Sequence, residues 1–142
     1  GVRHLEETMD IEEIKKEVIK ARGIFEEHHN HISKTFFGDF PSASCGPSAD
    51  ILAEYLLSKG VQNIEYVYGE RNGGSHGWLE IEGLIIDITG DQFEDGVEGI
   101  FISPNRDFHD QFSPLERNDQ PGVNGFLRDP YNKFKVLMET HA

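Results

Sequence analysis

The chain has 142 residues, 37% of them hydrophobic and 27% charged, a composition that fits one globular domain and not a disordered chain. Its 26 acidic against 13 basic residues give a net charge of −13, which argues against a nucleic acid or an anionic membrane as the main partner. No run of about 18 apolar residues offers a membrane span, and residues 1–10 have no apolar signal core.

Residues 10–25 read as an amphipathic helix. Ile11, Ile14, Val18, Ala21 and Phe25 recur at spacings of three and four, and Asp10 with Glu13 forms a capping-box pattern. Gly23 weakens its last turn. Residues 26–44 are polar and read as irregular, with Phe36 and Phe37 turned inward. A second helix is expected from Gly46 or Pro47, since proline is tolerated in a first helical turn. Ala49, Leu52, Ala53, Leu56 and Leu57 supply its apolar side, and Gly60 ends it.

The period then changes. Residues 63–68, 77–81 and 84–88 read as strands, the last two joined through Glu82-Gly83 as a hairpin, and residues 100–102 as a weaker strand. Residues 103–130 hold four prolines and little periodicity, which makes them a long irregular region of the kind that shapes a pocket or covers one as a lid. Phe134, Val136 and Met138 alternate, so residues 133–139 read as a final strand. The order of elements is α+β, with helices packed on a largely antiparallel sheet.

The lone cysteine, Cys45, excludes an intramolecular disulfide and a multi-cysteine zinc site. A reducing compartment such as the cytoplasm suits it, as does secretion without disulfides. It stands in Ser44-Cys-Gly-Pro-Ser48, at the mouth of the second helix, where the helix dipole and free N–H groups favour thiolate over thiol. The same N–H groups suit an oxyanion, and Gly46 admits a substrate to the backbone. A thiolate nucleophile needs a base held by a third group. His76 lies at the start of the hairpin's first strand and Asp87 at the end of its second. Pairing about Glu82-Gly83 puts Asp87 roughly opposite Trp78, with His76 a diagonal neighbour. An aspartate inside Leu84-Ile-Ile-Asp-Ile88 is costly to bury without a partner, and His76 is the obvious one.

A cysteine opening a helix, then His76-Gly-Trp-Leu-Glu80, then Ile86-Asp-Ile-Thr89, resembles the transglutaminase-like branch of the papain-like cysteine enzymes, over residues 42–93. The resemblance implies a papain-like α+β core. It also implies Cys45 as nucleophile, His76 as general base and acid, Asp87 as the orienting carboxylate and Trp78 as a core or site-wall aromatic. No glutamine stands a few residues before Cys45, so an oxyanion would be held by backbone N–H groups near Gly46 or by a side chain such as Gln92. The family includes peptidases, deamidases, cross-linking acyltransferases and inactive relatives. The expected substrate is therefore a peptide or protein amide, with no cofactor and no metal. The alternative, from another class, is a non-catalytic protein-binding module on the same scaffold, its acidic surface suited to a basic partner.

Other polar residues read more simply. Glu80 is expected on the solvent face of its strand. His28, His29 and His31 read as a solvated loop and not as a metal site. Asp91, Glu94, Asp95 and Glu98 read as a charged surface turn. His109 is a rival base without a strand pattern to support it.

Overall fold

The computed structural model describes residues 9–141; residues 1–8, within the stretch that lacks a signal core, and residue 142 lie outside that range. Three helices pack on a five-stranded, wholly antiparallel sheet of order β4-β3-β2-β1-β5. The elements are α1 (Ile11–Phe37), α2 (Cys45–Ser58), β1 (Ile64–Arg71), β2 (Gly74–Ile81), β3 (Leu84–Asp87), β4 (Phe101–Ser103), β5 (Glu116–Asn118) and α3 (Arg128–Thr140). Short 3-10 turns at Gly90–Gln92, His109–Gln111 and Gly125–Leu127 break up the long connections. No helix among the described residues is long and apolar enough to cross a membrane.

The capping box at Asp10 and Glu13 forms as expected: the Glu13 N–H donates to Asp10 Oδ1 at 2.8 Å. The helix it starts is longer than expected, and Gly23 lies in its middle. It continues through the supposed irregular stretch to Phe37, with non-helical backbone at His28 and Ser33. Ser33 then acts as an internal cap, its hydroxyl accepting the Phe36 N–H at 3.2 Å. Phe37 is fully buried and packs tilted against Phe25, with ring centroids 5.0 Å apart. Tertiary burial of Ile32 and Phe37 thus extends a helix whose polar composition did not announce it.

The β2–β3 hairpin has the expected register, with Leu79 opposite Ile86, Glu80 opposite Ile85 and Ile81 opposite Leu84. Its turn places both Glu82 (φ 48°) and Gly83 (φ 86°) in the left-handed region, the signature of a type I′ turn.

The expected last strand is a helix. Along α3, Tyr131, Phe134 and Met138 are buried at helical spacing while Val136 is 58% exposed. The alternation of Phe134, Val136 and Met138 matched a strand by coincidence. Packing of Phe134 between Phe25 and Tyr55, centroids 5.0 and 5.8 Å away, selects the helix.

The sheet has two covered faces. On one, Ile64, Leu79, Ile81 and Ile86 join the apolar sides of all three helices in the main core. On the other, Val67, Trp78 and Ile85 lie beneath Phe108 and Phe112 from the irregular region. Gly69 makes this second layer possible, because a side chain there would meet Phe112 Cβ at 2.8 Å. Residues 108–112 are therefore a packed layer of the structure and not a lid.

Candidate functional site

Cys45 is the first residue of α2, and the helix start lacks a side-chain cap. The Ser44 hydroxyl is turned away, donating to the Ser42 and Phe36 carbonyls at 3.0 and 3.3 Å. Pro47 has no N–H to offer, and the Ser48 N–H is bonded to the Ser44 carbonyl. The Cys45 and Gly46 amides are left at the positive end of a 14-residue helix without an intrahelical partner.

Opposite them stands the start of β2. Gly77 has no side chain on the helix side, and its backbone reaches the thiol together with that of Gly46. Burial pushes the Cys45 thiol up, but the adjacent His76 ring and these backbone groups outweigh it, and the thiol lies below its ordinary value. Burial pushes His76 down; Asp87 and Cys45 overcome this and raise it to about 9. Both directions favour the charged forms, thiolate at Cys45 and imidazolium at His76.

His76 Nε2 lies 2.7 Å from Asp87 Oδ2, with both side chains buried. Nδ1 is thus the ring nitrogen left for Cys45. Gln92 Nε2 lies 3.2 Å from that same Nδ1. With a neutral ring the Gln92 amide donates there; with an imidazolium a flipped amide accepts. Asp87 Oδ1 also accepts the Thr89 N–H at 2.9 Å. Burial opposes ionisation of Asp87, but hydrogen bonds from His109, His76 and the Thr89 N–H hold its carboxyl below the usual carboxylate range.

The structure thus brings Cys45, Gly46, His76, Asp87 and Gln92 together. Trp78 stands behind them as packing, buried, its ring 5.5 Å from His76. Two residues near the site were not singled out in the sequence. Tyr66 is one: a Cβ on Gly77 would collide with its hydroxyl, and one on Gly46 would lie 3.6 Å from it. Burial, Cys45 and Asp50 together push the Tyr66 phenol up. The register legible in the hairpin did not extend to β1, where Tyr68 opposite Gly77 and Tyr66 opposite Leu79 put both tyrosines on the side of the thiol. Asp50, five residues along α2, is the other, its carboxyl raised by burial to about 6.

His109 is not a free rival base. It is fully buried, and its Nε2 lies 2.7 Å from Asp87 Oδ2, the oxygen that also meets His76. A zinc ion held by these three groups would spread its ligand atoms to about 3.3 Å apart, given metal–ligand distances of about 2.0–2.1 Å. Separations of 2.7 Å are those of shared protons.

Several surface expectations are corrected. Glu80 is 4% exposed. Parity puts it on the same face as His76 and Trp78, and the second layer covers that face. The Trp78 indole donates to it at 2.9 Å, Arg106 at 3.0 Å and Arg117 at 2.9 Å. These groups overcome the effect of burial and hold its carboxyl below the ordinary range. The histidine-rich stretch is helical: the His29 ring pairs with the Phe37 carbonyl at 2.8 Å, while His28 lies near Glu27 and His141. The charged surface turn is as expected: Asp91, Glu94, Asp95 and Glu98 are exposed, and Asp91 and Asp95 form ion pairs with Arg22 and Arg71 at 2.7 and 2.6 Å.

Comparison with protein-family models, with curated proteins and with solved structures returned no match to this chain.

Proposed function

We propose that the protein is a cysteine-dependent amide hydrolase or acyltransferase that works through a thioester, on a papain-like core of the transglutaminase-like type. The observation that carries this reading is the thiol at an uncapped helix start, beside an imidazole whose far nitrogen lies 2.7 Å from a buried carboxylate. In this reading Cys45 Sγ attacks the carbonyl carbon of a peptide or protein amide. The developing oxyanion faces the Cys45 and Gly46 N–H groups. His76 passes a proton from Nδ1 to the leaving nitrogen as the C–N bond breaks, and the acyl group stays on sulfur. Water, or an amine, then attacks the thioester while His76 takes its proton, and the C–S bond breaks to return the thiol. Asp87 keeps Nε2 protonated and stabilises the imidazolium throughout. Water as acceptor makes the protein a peptidase or deamidase; an amine makes it a cross-linking enzyme.

The test is the pH dependence of Cys45 alkylation by iodoacetamide, in wild type and in His76→Ala. The expected result is an apparent thiol pKa well below the free value of about 8.5 that rises when His76 is lost. Peptide and glutamine-donor substrates are then screened, with Cys45→Ala as the folded, inactive control. An ordinary thiol indifferent to His76 overturns the reading and favours a protein-binding module.

A further inference from the structure

We propose that His109 is a positioning residue of this site, the fourth member of a chain Cys45–His76–Asp87–His109; the inference rests on the acyl-transfer reading above. Asp87 Oδ2 lies 2.7 Å from His76 Nε2 and 2.7 Å from His109 Nε2, and all three side chains are at most 1% exposed. An ionised carboxylate oxygen only accepts, so both ring nitrogens must donate. The arrangement therefore fixes two tautomers at once. His76 carries its proton on Nε2, which leaves Nδ1 to exchange a proton with the thiol. His109 carries its proton on Nε2 as well.

The other nitrogen of His109 makes the second half of the argument. Nδ1 is buried with no hydrogen-bond partner among the described residues. Its ring is walled by Trp78, Phe101 and Phe108, at centroid distances of 4.6, 5.2 and 5.1 Å. A proton on Nδ1 would have no acceptor there, so His109 serves as a neutral donor. It gives Asp87 a second N–H without placing a second cation 6.1 Å from the His76 ring. The full positive charge of the cluster is left to His76, next to the thiol. Charged groups around this cluster are Cys45 from α2, Arg71 from β1, whose guanidinium lies over the Phe93, Phe108 and Phe112 rings at 5.1, 5.1 and 4.8 Å, and Glu80 with Arg106 and Arg117, which reach it through the Trp78 indole.

The backbone explains how an irregular segment does this. His109 opens a 3-10 turn whose flanking Phe108 and Phe112 are buried in the second layer. Phe112 docks on Gly69, directly across the ladder from His76. The segment that carries the donor is thus anchored on the strand beside the base it supports.

The experiment reads two things. In wild-type protein, nitrogen–proton NMR correlations of the histidine rings report the tautomers. Both rings are expected to carry a proton on Nε2, with Nδ1 protonated as well only in His76, and a His109 protonated on Nδ1 with a bare Nε2 overturns the proposal whatever the variants do. In parallel, the pH profile of Cys45 alkylation is compared among wild type, His109→Gln and His109→Phe, with thermal melting as the check on folding. His109→Phe keeps the bulk and removes the donor; alkylation near neutral pH is expected to slow about tenfold as the apparent thiol pKa rises. His109→Gln returns an N–H at the place of Nε2 and is expected to recover most of the rate. A folded His109→Phe with the wild-type profile overturns the proposal while leaving the acyl-transfer reading standing. An ordinary wild-type thiol, indifferent to His76→Ala, removes both.

Discussion

The two faces of the sheet are built on different principles. The helix side is a large apolar core from Ile14 to Met138, made by long periodic elements. The opposite side is small and mixed, with His76, Glu80, Asp87 and His109 buried among Trp78, Ile85, Phe108 and Phe112 and covered by segments with little regular structure. Burying apolar surface is nondirectional and tolerates repacking. Burying a carboxylate requires specific donors at specific distances, and both carboxylates on the far face have them. Asp87 is met by two imidazoles and a backbone N–H, and Glu80 by an indole and two guanidiniums. Both faces contribute to stability, and the second also sets where the ionisable groups point.

A matched pair of truncations breaks that comparison most directly. Phe134→Ala on the helix face and Phe112→Ala on the far face each remove a fully buried ring, and each is expected to cost about 3–5 kcal/mol in urea unfolding. Only Phe112→Ala should alter Cys45 alkylation, because its ring is 5.7 Å from that of His76. Equal effects of the two on the thiol would erase the distinction.

Removing the second buried carboxylate is expected to cost less. Glu80→Ala strands the Trp78 indole and two arginines that remain 30% and 40% exposed, and water screens part of that loss. Urea titration should show about 1–3 kcal/mol, with residues 106–117 becoming more sensitive to protease.

The pH dependence sharpens the contrast further. His76 is raised from 6.5 to about 9, so its share of stability is complete below about 6.5 and lost as pH rises through about 9. Asp87 is lowered from 3.8, so its share is complete above that value and lost in acid. Melting temperature should fall on both sides of a plateau, and His76→Gln should remove the alkaline fall that begins above neutrality.

The smallest effect belongs to the hairpin. Glu82→Asn places a residue that tolerates positive φ where Glu82 now sits at 48°, and is expected to stabilise by about 0.5 kcal/mol in the same urea titration without touching the thiol.

Much of the site's backbone was legible because it is local. The Cys45 helix start follows from Pro47 and the apolar spacing after it, and the diagonal nearness of His76 to Asp87 follows from counting outward from a two-residue turn. The elements misread from sequence had ambiguous local signals. Residues 133–139 satisfied two periods at once, and residues 26–37 satisfied neither. Glu80 looked solvent-facing because nothing in β2 reveals that residues 106 and 117 return to cover it.

The sequence by itself determined an acidic α+β protein, a nucleophile candidate at a helix mouth, and an aspartate that needed a partner, because helix periodicity, turn chemistry and the cost of a buried charge act over a few residues. Tertiary structure alone decided which groups share that aspartate. His109 lies 22 positions after Asp87, and Tyr66, 21 positions after Cys45, reaches the surroundings of the thiol from β1, against Gly77. Contacts at such separations depend on how an irregular segment folds back over the sheet, and no local pattern encodes that return.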